Sequence, residues 1–154
     1  MAPKNVFISH VHEDDELLQN VKDLLGPKGY RDGSIDSSKP NEATSDEYIK
    51  SEILAPRIRW ASTMIVMVSA RTHESKWVEW EIEYAHKEGK RIVGLWVQGG
   101  QDSDIPRGLD DYADAFVGWQ AERVMDAITG KINNWYGPDG QERPRRKVAH
   151  YSCQ

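Results

Sequence analysis

Glu81 lies where a helical pattern puts a carboxylate in the middle of an apolar face. When residues 76–88 are wound as a helix at about 100° per residue, the apolar side chains form one continuous arc. That arc consists of Trp77, Val78, Trp80, Ile82, Tyr84 and Ala85. A carboxylate that loses its hydration costs several kcal/mol unless something pairs with it. We therefore expect Glu81 to be either paired or functional, since a fixed carboxylate can stabilise positive charge that develops in a reaction.

A purely structural role for Glu81 is the alternative. A buried ion pair with Arg57, Arg59 or Arg71 would also explain a carboxylate on an apolar face. Structural ion pairs perturb carboxylates as functional sites do. On the residues alone, both explanations stay open.

The composition predicts one domain without nucleic-acid or membrane partners. The chain has 154 residues, 38% of them hydrophobic, which is enough for one core. Its net charge of −5 comes from 25 acidic and 20 basic residues mixed along the sequence, which argues against an anionic polymer or membrane as the main partner. The N-terminus has no apolar signal segment, and no apolar run approaches the roughly 18 residues of a membrane span. We expect a soluble protein.

Cysteine and histidine usage predicts a cytoplasmic protein without a metal. The single cysteine, Cys153, excludes a disulfide within the chain and a cysteine-based zinc site, which fits a reducing compartment. His12, His73 and His86 share no metal-ligand spacing.

Short apolar runs alternate with amphipathic helices along the chain. Strands are predicted at residues 6–8, 30–35, 63–68, 91–97 and 115–119. Helices are predicted up to Gly26, after a polar loop at 36–45, at 76–88, for one turn within 105–112, and at 121–135. Pro56 should kink or split the second of these helices. The alternation predicts a parallel sheet with right-handed crossovers and helices on both faces.

In such a sheet, ligands bind outside the carboxyl ends of the strands, where the strand order reverses. Ser9, His10 and Ser69 follow predicted strands directly, and the loop at 36–45 follows another. We expect these residues to surround one site.

Several segments resemble Toll/interleukin-1 receptor (TIR) domains. Residues 6–14 resemble the first TIR box, with Phe-x-Ser followed by an acidic pair, and residues 75–81 carry a Ser-x-Trp-x-x-x-Glu helix start. The intervening TIR-like positions are Ile49, Ile53, Ile58, Ser62, Ile65, Val66 and Ser69. The resemblance covers about residues 5–136 and is greatest to bacterial TIR-like proteins of Thoeris antiphage defence.

The resemblance implies a flavodoxin-like three-layer α/β sandwich, in which a five-stranded parallel sheet of order 2-1-3-4-5 has helices on both faces. Residues 1–136 would form the TIR-like domain. Residues 137–154 would be a basic C-terminal tail, flexible or packed as an extension, whose bases are Arg143, Arg145, Arg146 and Lys147.

The resemblance also implies an enzyme that consumes NAD⁺. Such enzymes cleave the nicotinamide N-glycosidic bond and release a cyclic or otherwise modified ADP-ribose signal, so NAD⁺ is a substrate and no cofactor is needed. Glu81 stands at the family's catalytic glutamate. Because nicotinamide departs neutral, one carboxylate suffices, whereas ordinary glycoside hydrolysis uses two. The expected partners are further copies of the chain, bound through TIR surfaces, and a separate effector that senses the product.

The first strand and the tryptophan of the motif supply further candidates by resemblance. Ser9 and His10 lie where TIR enzymes contact substrate, and Trp77 could form one wall of the nicotinamide pocket, although a tryptophan there is commonly part of the core. His10 stands where an aromatic residue is usual, and Val11 where arginine is common.

The polar loop supplies three more candidates. Asp36, Ser37 and Asp46 lie in or beside the segment that controls access and assembly in TIR domains. Turn and cap chemistry explains each of them equally well.

Two other functions remain compatible with the sequence. One is a non-catalytic TIR adaptor that acts by self-association, and the other is a nucleoside deoxyribosyltransferase-like enzyme with a glutamate nucleophile. A phosphoacceptor receiver domain is excluded because the third strand ends in Ser69, where an aspartate would be required.

Overall fold

The structure is a computed structural model of the chain. It describes residues 4–11, 15–28, 30–32, 54–70, 72–97, 100–101 and 104–143. The strands, in chain order, are β1 (Lys4–Ser9), β2 (Tyr30–Asp32), β3 (Thr63–Val68), β4 (Arg91–Trp96), β5 (Ala115–Val117), β6 (Trp135–Tyr136) and β7 (Glu142–Arg143). The α-helices are α1 (Asp15–Leu25), α2 (Ala55–Trp60), α3 (Lys76–Lys87), α4 (Arg107–Tyr112) and α5 (Ala121–Thr129).

The sheet confirms the predicted parallel core. Its strand order is β2-β1-β3-β4-β5-β6-β7, and the first five strands pair in parallel in the order 2-1-3-4-5. β3 is buried at every position, as expected for a central strand that helices cover on both faces. The order reverses between β1 and β3, so the carboxyl ends of these two strands mark the crevice.

Alternate residues of the strands supply two separate cores. On one face, α2, α3 and α4 cover a cluster that contains Phe7, Met64 and Phe116. On the other face, α1 and α5 cover a cluster that contains Ile8, Ile65 and Val117. This division confirms the three-layer sandwich. None of the helices in the described part of the chain has the length and apolar content needed to cross a membrane.

The predicted closing helix is too long. α5 ends at Thr129, because Gly130 adopts the left-handed conformation (φ 91°) that commonly ends helices. Trp135 lies instead in β6, which pairs in parallel with β5, and β7 then pairs antiparallel with β6. The apolar spacing continues past the helix because Trp135 fills the core from an extended segment.

Three aromatic rings attach this added edge of the sheet. Phe116 stacks on Trp96 with ring centroids 4.5 Å apart and meets Trp135 edge-on at 5.7 Å. The indole nitrogen of Trp96 donates to the Tyr136 carbonyl at 2.8 Å, and that of Trp135 donates to the Ala113 carbonyl at 3.2 Å. The boundary predicted after residue 136 stays a prediction.

Pro56 lies in the first turn of α2. Its missing amide proton costs nothing there, because first-turn amides have no acceptor within the helix. The predicted loop at 36–45 and the start of the helix after Ser45 lie outside the described residues.

Candidate functional site

The start of α3 determines which way Glu81 faces. Ser75 is the N-cap, and its hydroxyl accepts a hydrogen bond from the Val78 amide at 3.1 Å. Gly89, just past the helix, has the positive φ of 72° that allows the chain to turn away. From this start, Val78, Glu81, Ile82 and Ala85 form the buried face, as the periodicity predicts.

Glu81 is bonded to the last residue of β1. The Ser9 hydroxyl donates to Glu81 Oε1 at 2.6 Å, although 72 positions separate the two residues in the chain. Ser9 is 1% exposed and Glu81 is 8% exposed. The bond therefore joins α3 to the carboxyl edge of the sheet, at the crevice where the strand order reverses.

Burial dominates the electrostatics of Glu81. Removal from water raises the pKa of Glu81 from its ordinary 4.5 to about 8, and the hydrogen bond from Ser9 offsets part of the rise. A carboxyl group with this pKa is largely protonated near pH 7 and ionises with a small input of free energy. Such a shift is typical of catalytic carboxyl groups.

Two of the three arginines proposed as ion-pair partners lie in the described part of the chain. Arg59 donates to the Tyr84 hydroxyl at 2.6 Å. Arg57 is exposed on α2, and Arg71 lies outside the described residues. Within the described part of the chain, the group that bonds the Glu81 carboxyl is a hydroxyl and not a cation.

Three aromatic side chains lie within about one turn of Glu81 along α3. Trp77, Trp80 and Tyr84 are partly buried and pack against the core cluster under α3. The rings of Trp80 and Tyr84 stack at 5.2 Å with an interplanar angle of 12°. A substrate contact for Trp77 stays a prediction.

The remaining predicted site residues divide into two groups. His10 is half-buried at the end of β1, with Nδ1 3.4 Å from the Ile8 carbonyl, so the chain brings it to the same edge as Ser9. Asp36, Ser37 and Asp46 lie outside the described residues, and their roles stay predictions. No group of three His, Cys, Asp or Glu side chains among the described residues could hold a metal ion.

The loop after β3 contains a residue that the sequence analysis missed. Thr72 is fully buried, and its hydroxyl accepts from the Ser69 amide at 2.8 Å and donates to the Met67 carbonyl at 3.1 Å. These bonds fix the loop that leads from the sheet to Ser75. A serine followed by a threonine three positions on, directly after a strand, is the signal for such a local bond.

A comparison with protein families shows which family the chain belongs to. The TIR-like domain of the Thoeris protein ThsB matches residues 7–102, which is more than half of the 154-residue chain. The chain belongs to the Thoeris ThsB TIR-like family. The match to this TIR-like family includes Ser9, the α3 motif and Glu81. Comparison with curated proteins gives no match.

Solved structures share the fold of this TIR-like chain. The TIR domain of the Toll-related receptor TRR-2 from Hydra magnipapillata is 16% identical with a TM-score of 0.53, covering 82% of this chain and 92% of that one. The CMP N-glycosidase BcmB from Clostridium botulinum is 15% identical with a TM-score of 0.53, covering 82% and 98%. The TIR domains of the activated Roq1 resistosome are 19% identical with a TM-score of 0.47, and the match covers 60% of this chain and 57% of the Roq1 chain.

The raised pKa of Glu81 predicts a stability difference that depends on pH. Between about pH 4.5 and 8, the folded protein holds a proton that the unfolded chain releases, so rising pH destabilises wild type through this group. Glu81→Gln removes the effect. We expect this variant to exceed wild type in free energy of unfolding at pH 9 by on the order of 4 kcal/mol, and to match it near pH 5.

Urea denaturation at pH 5, 7 and 9 measures this difference. Glu88→Gln, at an exposed position just after α3, is the matched control and should show no such trend. A difference between Glu81→Gln and wild type that stays constant with pH would contradict the buried, proton-binding carboxyl group.

The bond from Ser9 predicts a second shift. Because the Ser9 hydroxyl stabilises the ionised form, Ser9→Ala should raise the pKa of Glu81 further, by roughly one pH unit. Carbon-13 NMR titration of the Glu81 carboxyl group measures it directly. Ser62→Ala is the control, since that exposed hydroxyl bonds the Asn5 carbonyl at the opposite end of the sheet. An unchanged midpoint in Ser9→Ala would show that the hydrogen bond is not formed in solution.

Proposed function

We propose that this chain is an NAD⁺-consuming TIR enzyme that cleaves the nicotinamide N-glycosidic bond, with Glu81 as its catalytic carboxylate. The observation that carries the proposal is a buried carboxyl group bonded to Ser9 at the carboxyl edge of the sheet. Membership of the Thoeris ThsB TIR-like family supports the same reaction.

The reaction needs little beyond one carboxylate. As the bond between ribose C1′ and the nicotinamide nitrogen breaks, its electron pair neutralises the pyridinium ring, and positive charge develops on the ribose. Ionised Glu81 stabilises that charge across a short distance in a water-poor environment. Nicotinamide leaves as a neutral molecule, so no group has to protonate it.

The burial of Glu81 favours formation of a cyclic product over simple hydrolysis. A ribose cation that meets little water can accept an electron pair from a nitrogen of its own adenine, which closes a cyclic ADP-ribose. We propose that this product acts in antiphage defence in the cytoplasm, where a separate effector protein senses it. Self-association through TIR surfaces would control the activity.

A second candidate is hydrolysis or transfer at the N-glycosidic bond of a nucleoside or nucleotide. The fold similarity to the CMP N-glycosidase BcmB, over 98% of that chain, favours it. Glu81 would then act as a nucleophile or as an acid. The deoxyribosyltransferase-like alternative belongs to this class.

Substitution of Glu81 should abolish release of nicotinamide. We expect Glu81→Gln and Glu81→Ala to lose at least about 100-fold in rate, because they remove the group that stabilises the developing charge. Mass spectrometry of NAD⁺ incubated with concentrated protein under crowding measures the products. CMP and deoxynucleosides are tested in parallel.

Glu88→Ala is the matched control and should keep wild-type turnover, and melting curves verify that each variant is folded. Turnover of NAD⁺ at the wild-type rate by a Glu81 variant would contradict the proposal. Base release or exchange with NAD⁺ left intact would favour the second candidate. Intact NAD⁺ in both dilute and crowded wild-type samples would favour a non-catalytic adaptor.

The pKa of Glu81 predicts the sign of the pH dependence. Since the ionised form is the active one, kcat/KM for NAD⁺ should rise with pH through a midpoint near 8. The bound nicotinamide cation favours ionisation, so kcat should reach half its maximum at a lower pH. A kcat/KM that falls as pH rises through 8 would point to the neutral carboxyl group as a general acid, as release of an uncharged base requires.

A further inference from the structure

A second carboxylate of α3 contacts the neighbouring helix. The Glu79 oxygens Oε1 and Oε2 lie 3.2 and 3.3 Å from the Gly108 amide nitrogen, which donates to them. Gly108 is in the first turn of α4, where backbone amides lack acceptors within the helix. Glu79 therefore ties the first turn of α3 to the first turn of α4.

Gly108 lets the two helices approach closely. A Cβ atom at this position would lie 2.6 Å from the Ile82 Cγ2 atom and 3.2 Å from Glu79 Oε2. Ile82 is fully buried and cannot move aside easily. The contact between α3 and α4 therefore requires glycine at this position.

The two residues of α3 that meet Gly108 are close to Glu81 in sequence but point to a different side of the helix. Glu79 and Ile82 lie two positions before and one position after Glu81, and residues two apart on a helix differ by about 200° in direction. Ser9 bonds Glu81 on the sheet side, while Gly108 bonds Glu79 on the α4 side. These two hydrogen bonds therefore fix the rotation of α3 about its axis and its position along that axis.

We infer that Glu79 is a positioning residue, which acts through Gly108 to hold the Glu81 carboxyl group in its buried place beside Ser9. The catalytic part of this inference rests on the proposed function, whereas the positioning part concerns the protein alone. A misplacement of about 1 Å in a reacting group can cost about 100-fold in rate, so a contact outside the site can control the site.

Substitutions at Glu79 and Gly108 distinguish an effect on the placement of Glu81 from an effect of the Glu79 charge. Glu79→Ala removes the acceptor, Glu79→Gln removes the charge but keeps a carbonyl acceptor, and Gly108→Ala keeps the carboxylate but forces the helices apart. Glu88→Ala is the matched control, because it removes an exposed carboxylate just after the same helix.

Carbon-13 NMR titration of the Glu81 carboxyl group, assigned with Glu81→Gln, gives a readout that loss of stability alone would not move. Because burial is the main cause of the raised pKa, a displaced and hydrated Glu81 should titrate lower, by about one pH unit, in Glu79→Ala and in Gly108→Ala. Glu79→Gln and Glu88→Ala should titrate like wild type. Melting curves verify that each variant is folded at the temperature of the titration.

Turnover of NAD⁺ gives the second readout. We expect Glu79→Ala to lower kcat about tenfold while KM changes less than about twofold, since the Glu79 carboxylate is bound to the Gly108 amide and acts only through the placement of Glu81. An unchanged Glu81 titration in both Glu79→Ala and Gly108→Ala overturns the inference, as does an equal shift in Glu79→Gln and Glu79→Ala, which would show an effect of charge. If wild type leaves NAD⁺ intact while the titrations shift as expected, the proposed function fails and the positioning role stands.

Discussion

A carboxyl group that has left water must be held by something, and in this protein the Ser9 hydroxyl holds it. Their 2.6 Å bond joins the catalytic candidate on α3 to the end of β1. The Ser75 cap fixes where α3 begins, the Thr72 bonds shape the loop before it, and the aromatic side chains of α3 pack against the adjoining core. Each of these features serves one condition, which is that Glu81 stays dehydrated but close to ionisation. The raised pKa of Glu81 results from this loss of hydration.

The fold explains how Glu81 reaches the crevice at the edge of the sheet. Parallel sheets bring the ends of neighbouring strands to one edge, and the reversal of strand order between β1 and β3 opens a crevice there. Ser9 and His10 reach that edge from β1, and α3 delivers Glu81 from the adjoining helical layer. Packing alone would favour an apolar residue at position 81, since a buried carboxyl group destabilises the fold at high pH. A glutamate at this position is therefore easier to explain by function than by stability.

Much of this arrangement is predictable because its signals are local. The period of α3 identifies the buried face that contains Glu81, and the uninterrupted apolar run of β3 identifies the central strand. The five-stranded parallel order follows from the alternation of elements and the TIR resemblance. The length of α5 is not predictable in this way, because Trp135 repeats the helical spacing from an extended strand. The bonds from Ser9 to Glu81 and from Gly108 to Glu79 join distant parts of the chain, and periodicity carries no information about such pairs.

A catalytic Glu81 must face the bond that breaks. A crystal structure of the protein with a carba-NAD⁺ analogue, whose nicotinamide linkage cannot be cleaved, would show this directly. We expect a Glu81 carboxylate oxygen within about 4 Å of the carbon at the ribose C1′ position, with the Ser9 hydroxyl still hydrogen-bonded to the carboxyl group. An analogue bound with its nicotinamide end away from the carboxyl edge of β1 and β3, and with Glu81 covered as before, would contradict it.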